Sequence, residues 1–287
     1  MFTFFALLKK SLYIVCLILS IFSHATILHA QEKEFGFREG VTVYVGDLNP
    51  NFSFKDARWG SSIFFRYNIN NRMAARAAIN YGFLQGDDSK IKNYPYLQHR
   101  NLSFKSQMVE MEMSYEFNFF KYSTIDPKHH WTPYVYTGLS LFYFDPYVKI
   151  DGNKYKLESI GTEGQKTGNN STKNRGYNQY SFAIPYGGGI KYALNQNWAF
   201  NFEISSRFVF TDYLDDVSGT YPDITDVEYT ANGTNIGAIL YDRSPEVGPK
   251  IGVLDKQRGT SQDKDRFLFI GFGLTYTIVD IKCPKPL

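Results

Sequence analysis

Three histidines follow residue 31, His99, His129 and His130, and they are the natural starting point for acid, base or metal chemistry. A hydrolase or acyltransferase would need one of them within hydrogen-bond reach of a nucleophile. None falls in the core of a candidate strand, and none has a serine or carboxylate at a spacing that implies a shared face. His129 and His130 are adjacent, so their side chains diverge, and they read as solvated turn residues rather than a metal pair. The acidic run Asp212, Asp215, Asp216 and Asp223 offers oxygens, but its spacing follows no EF-hand pattern. Gly187 to Gly189 lies inside a strand pattern with no helix after it, so close strand packing explains it better than a phosphate loop. The sequence therefore nominates no catalytic, cofactor-binding or metal-binding residue and points away from an enzyme.

Spacing becomes informative for a different set of charges. In VEMEMSYEFNFF, residues 109 to 120, Val109, Met111, Met113, Tyr115, Phe117 and Phe119 take one face of an extended strand, while Glu110, Glu112 and Glu116 take the other. The same alternation places Arg66, Arg76, Lys191, Glu203 and Arg207 on the polar faces of other segments. These eight residues comprise four cations and four anions. Inside a narrow closed cylinder, single charges would be costly, whereas a mutually bonded lattice satisfies them. On the outward faces the sequence shows no charge in mid-strand.

The segments that carry this pattern number eight: 36–45, 60–69, 72–85, 109–120, 133–144, 180–194, 198–210 and 266–279. Each is about as long as the 9–11 residues of a tilted membrane strand, or longer. Their connections alternate. Long polar stretches, 46–59, 86–101, 145–179 and 211–265, follow the odd-numbered strands; short ones, 70–71, 121–132 and 195–197, follow the even-numbered ones. That rhythm is expected of an all-β, eight-stranded antiparallel up-and-down transmembrane barrel with long external loops and periplasmic termini. Tyr67, Tyr134, Tyr136, Trp198 and Tyr276 are expected to form its interfacial girdles. Eight strands enclose a space that side chains fill, so no conducting pore is expected.

Residues 1–30 read as an export signal: Lys9 and Lys10, an apolar run from Leu12 to Phe22, and Ala30 before the cut. The run is too short to span a bilayer as a helix. Cys16 goes with the discarded segment. Residues 31–287 then form one barrel domain with a short periplasmic tail, carrying 29 basic against 28 acidic residues, a balance that excludes nucleic acid as a partner. Outer-membrane lipid is the expected surrounding. Cys283 is left as the single cysteine of the exported chain, and an odd cysteine there points to an intermolecular disulfide or a free thiol.

The GDLNP segment at 46–50, TDYLDDVSGTYPD at 211–223 and the LTYTI strand end before Cys283 and Pro284 resemble the PorG family, outer-membrane barrels of the type IX secretion system of Bacteroidetes. The resemblance implies a non-enzymatic part in protein secretion and gliding motility, in association with the periplasmic ring of PorK and PorN type. Cys283 and the 121–132 turn lie on the side where such a partner would dock. The competing expectation is a surface adhesin or receptor working through 145–179 and 211–265.

Overall fold

The computed structural model describes residues 32–166, 176–231, 233–262 and 264–278; the expected signal at 1–30 and the Cys283 tail lie outside the described residues. Eleven strands are present in these: β1 (Lys33–Val45), β2 (Arg58–Asn70), β3 (Met73–Asp87), β4 (Ser103–Asn118), β5 (Trp131–Ile150), β6 (Asn153–Lys156), β7 (Tyr180–Ala193), β8 (Trp198–Val209), the two-residue pair β9 (Thr230–Ala231) and β10 (Thr234–Asn235), and β11 (Arg266–Ile278). Eight of them, β1 to β5, β7, β8 and β11, pair antiparallel with their neighbours. The sheet shuts because β4 pairs β5 and the first strand pairs the last, from Lys33 opposite Ile278 to Val45 opposite Arg266. The protein is a closed eight-stranded antiparallel up-and-down β-barrel. Closure leaves no free edge on any of the eight.

Alternation explains why these residues form these strands. Along β4 every second side chain, from Phe104 to Asn118, is buried, and the residues between are exposed or half-buried. The outside carries the large apolar groups: Met113 and Leu139 are 74% and 67% exposed, and Phe182, Met111 and Phe272 are nearly as open. The inside carries charge. Among the described residues no helix is long and apolar enough to cross a membrane, which says nothing about crossing by strands.

Several strands run beyond the sequence-based bounds, and β4 begins at Ser103, six residues earlier than expected. β1 starts three residues earlier than expected and so brings Glu34 inside. β5 continues to Ile150 because Asp151 and Gly152, with φ of 49° and 82°, make a two-residue turn that folds β6 back on its far end. The described connections separate by end: 71–72, 119–130 and 194–197 lie at one, while 46–57, 88–102, 151–166, 176–179, 210–231, 233–262 and 264–265 lie at the other. The long ones are not plain loops. Leu48, Leu102, Leu157, Leu214, Ile236 and Leu240 are buried in one apolar cluster with Tyr44, Phe104, Phe142, Phe144 and Phe267 from the strands. The described long connections thus form a folded cap whose core continues down into the barrel.

Candidate functional site

The lumen has two layers. Nearer the short turns lies a lattice of charge that includes all eight sequence-nominated residues, Arg66, Arg76, Glu110, Glu112, Glu116, Lys191, Glu203 and Arg207, each 2% exposed or less. Glu116 receives Lys191 Nζ at 2.6 Å, Arg66 Nε at 2.8 Å and Arg76 Nη1 at 2.9 Å. Glu112 pairs Arg76 at 2.7 Å and Arg207 at 3.4 Å, and Glu110 pairs Arg207 at 3.2 Å. Sequence reasoning missed two members. Arg38 pairs Glu203, and Glu34 pairs Arg66 at 2.5 Å. Both share a parity with the inward residues of β1, opposite Phe35 and Phe37; Arg38 lay within the expected 36–45 segment and needed only its faces separated, while Glu34 needed the alternation extended to residue 33.

Glu203 is the hub. Besides Arg38 it accepts from Arg76 Nη1 at 2.7 Å, Tyr134 Oη at 2.8 Å and Tyr136 Oη at 2.9 Å. Those two tyrosines were expected in the outer girdle. Instead they are 1% and 4% exposed, because Pro133, Val135 and Thr137 occupy the outward parity of β5. Gly189 stands between Glu203 and Tyr134 in one cross-strand row. A Cβ there would overlap the Phe202 carbonyl and sit 3.0 Å from the Tyr134 ring, so the glycine run makes room for the tyrosine to reach the carboxylate. Tyr67, Trp198 and Tyr276 do face outward, with Trp198 and Tyr276 in ring contact at 5.1 Å.

A second correction concerns the outside. Glu39 lies on the outward parity of β1, where no mid-strand charge was expected. Register puts it level with Ser61 and Tyr81, and it accepts a hydrogen bond from the Trp59 indole N–H. Trp59 in turn contacts Tyr81 and Phe83, at 5.9 and 6.2 Å. The carboxylate therefore sits among the polar edges of an aromatic rim rather than among purely apolar side chains.

Above the charge layer, Phe142, Phe144, Phe267 and Tyr44 fill the barrel, and the cap begins. Its neck is built from the 46–50 and 211–223 segments. Asn49 Nδ2 donates to the Tyr44 carbonyl at 2.6 Å, Leu214 N donates to Asp265 at 2.9 Å, and Asp47 accepts Thr260 N at 2.8 Å. Two buried arginines staple the loops together. Arg100 holds Asp88 at 2.7 and 2.9 Å and donates to the carbonyls of Arg258 and Asp47. Arg258 holds Glu163 at 3.1 Å and donates to the Asp216 carbonyl at 2.7 Å.

The neck also stores a proton. The Tyr44 hydroxyl is 2.5 Å from Asp215 Oδ2 and 2.7 Å from Asp265 Oδ1. One phenol proton serves one of these contacts; the other requires a protonated carboxyl. Burial pushes Asp215 and Asp265 well above the usual carboxylate range, helped by the charge of Asp265 at the first and of Asp212 at the second. Burial likewise raises Asp212 to about 6 and Asp216 to about 7, although Ser218 bonds the first, and Thr162 and Tyr177 bond the second. All four are raised, so their contribution to cap stability is complete below about pH 4, where the unfolded carboxyls are protonated too, and is lost as pH rises through 6 and 7 and above. Amide exchange in 211–223, corrected for intrinsic rates, is expected to be faster at pH 8 than at pH 5. Asp216→Asn should flatten part of that dependence.

The remaining nominated groups are dispersed. His99 Nε2 meets the Pro249 carbonyl, His129 Nδ1 meets Asp126, and His130 Nδ1 meets the Pro127 carbonyl, each at 2.7–2.8 Å. Asp223 caps a short 3-10 turn through Thr225 N. Among the described residues no group of three or more histidines, cysteines or acids is arranged to hold a metal ion. In the short-end turn, Tyr122 points inward and is buried, and Ser123 Oγ donates to Glu32 at 2.7 Å.

A family model, "Domain of unknown function (DUF6089)", matches residues 9–235. The chain belongs to the DUF6089 family. No curated protein matches it by sequence. Among solved structures it is similar to Ail, the attachment invasion locus protein of Yersinia pestis, at 8% identity over 87% of this chain and 100% of that one, with a TM-score of 0.41. It is also similar to Neisserial surface protein A, at 12% identity over 87% and 100%, TM-score 0.40. OprG from Pseudomonas aeruginosa stands at 10% identity over 88% and 97%, TM-score 0.39. In this DUF6089 chain, the matched range takes in β1 to β8 and most of the neck.

Proposed function

We propose that this chain is a non-enzymatic outer-membrane barrel that serves as a fixed post of the type IX secretion system, holding a periplasmic partner at its short-turn end. The membrane placement is carried by inverted chemistry: Met113 and Leu139 stand open on the outside while ten charged side chains are sealed within. In water such a belt would be a standing aggregation surface; among acyl chains it is at home. Strands of 12 to 20 residues exceed the span a bilayer needs, which leaves their far ends to build the cap. With both layers of the lumen filled, the barrel suits an anchor better than a conduit.

The secretion role rests on the likeness of residues 46–50, 211–223 and 274–278 to the PorG family, and ring lipoproteins of PorK and PorN type are the proposed partners. Cys283 is the proposed point of disulfide attachment. Cross-linking of intact outer membranes followed by affinity purification should recover those lipoproteins, with a non-reducing band shift that Cys283→Ser abolishes. Recovery of outer-membrane and surface proteins alone would refute the secretion reading. A second reading, a surface receptor, draws on the ordered cap; it predicts that loss of 224–254 removes function while Cys283→Ser leaves it whole.

A further inference from the structure

β5 carries its alternation outward past the barrel wall. Its odd-numbered residues face out, from Leu139 and Leu141 through Tyr143, while Phe144 and Val148 turn in to the apolar cluster. Tyr143 stands in one cross-strand row with Tyr81, Val109 and Tyr180, and its ring centroid is 5.1 Å from that of Tyr180. Tyrosines so placed mark the boundary between acyl chains and headgroups. Beyond this row the outward positions change character. Lys105 on β4, Tyr147 on β5 and Lys156 on β6 form a further row, and in the next outward row Lys149 and Lys154 are directly opposite each other.

All four lysines are exposed, and one carboxylate serves them. Asp145 meets Lys156 at 3.1 Å and Lys154 at 3.6 Å, while Lys105, Lys149 and the hairpin-tip Asp151 form no ion pair with any described residue. Like charges directly across a strand pair repel, so Lys149 opposite Lys154 is a standing cost that an anion held between them removes. Lysines on the free edge of β6 also guard it against strand addition. Lys105 needs another reason, because β4 is paired on both sides there, to Gln85 and to Tyr147. Packing holds the patch in shape: Lys154 Nζ lies 4.0 Å from the centre of the Tyr147 ring, and Gln179 Nε2 donates to Asp145 at 3.0 Å. Two strand spacings, about 10 Å, separate the backbones of Lys105 and Lys156, a width that suits one anionic headgroup.

We propose that the outward face of the β4–β5–β6 ledge is a docking surface for the phosphate-bearing headgroup of an anionic lipid in the surrounding leaflet, an inference that rests on the membrane placement proposed above. Lys105 and Lys149 supply the ammonium groups that no carboxylate claims, and Lys154 and Lys156 complete the patch. The acyl chains of the same lipid run down past Tyr143 and Tyr180 to Leu139, Leu141 and Phe182, which are open on the same strands. Charge on the ledge and apolar area below it match the two ends of one lipid.

Native mass spectrometry of the full chain released from detergent tests this with lipid A as the anionic probe and phosphatidylcholine as the neutral one. Lipid A is expected to bind saturably and much more tightly than phosphatidylcholine. Lys105→Gln/Lys149→Gln removes two charges without leaving Asp145 unpaired, and should weaken lipid A binding about tenfold or more with phosphatidylcholine adducts unchanged. Charge reversal in Lys105→Glu/Lys149→Glu should abolish the preference. Equal retention of the two lipids by the parent chain, or lipid A binding that neither double substitution weakens, overturns the headgroup site. Heat-modifiable migration and insertion into phosphatidylcholine vesicles report on the membrane barrel separately. A chain that inserts but shows no lysine-dependent preference loses the headgroup site alone; one that fails to insert loses the membrane reading as well.

Discussion

Glu203→Leu is expected to destabilise the barrel by about 3–5 kcal/mol, the cost of leaving buried cations without their anion. Arg38 loses its one carboxylate, keeping Ser62 Oγ at 3.1 Å, whereas Arg76 retains Glu112 and Glu116. The hydroxyls of Tyr134 and Tyr136 lose their acceptor as well. Urea unfolding in lipid or detergent, followed by tryptophan fluorescence and by heat-modifiable migration, should show the midpoint falling sharply with little change in slope. Because the orphaned arginine causes much of the loss, Arg38→Met combined with Glu203→Leu should recover more stability than additivity allows. Glu203→Gln keeps a hydrogen-bonding partner but not the charge, and should fall between. A wild-type midpoint in Glu203→Leu would mean that the lattice is hydrated and loosely held.

The cap should respond independently. Arg100→Met leaves Asp88, with no solvent exposure, short of both guanidinium contacts, and it frees the carbonyls of Arg258 and Asp47. Asp88 would keep only the Leu102 amide at 3.0 Å. A local cost of about 3–5 kcal/mol is expected, large enough to open the cap while the strand ladder stays closed. Limited proteolysis should then cut within 88–102 and 210–265, regions protected in the parent, and the barrel's urea midpoint should stay put. Equal loss of cap and barrel would show that the two cores form one cooperative unit.

Much of the barrel was legible because period-two alternation is a local property: β4 states its inside and outside in sixteen consecutive residues. The charge lattice was legible for the same reason; Glu34 was missed because the alternation was not followed to the start of β1, and Arg38 because the two faces of the 36–45 segment were not separated. Parity alone failed at Tyr134 and Tyr136. Tyrosine suits an interface and a lumen equally, and only the register across Gly189 to Glu203 shows which parity of β5 faces in. Glu39 was missed for the converse reason, since its tolerance outside depends on an indole twenty residues away.

The cap was illegible for a deeper reason. Leu48, Leu102, Leu157, Leu214 and Leu240 are scattered through polar, glycine-rich stretches with no period, and they become a core only when four connections meet over one rim. Side-chain order along this chain by itself determined the strands, their faces and the alternation of long and short connections, because those depend on neighbours one or two residues apart. Only the tertiary structure decided that Glu203 is the hub, and that the neck shares a proton among Tyr44, Asp215 and Asp265. Each of these depends on distances between residues far apart in sequence, and such distances exist only once the barrel has closed.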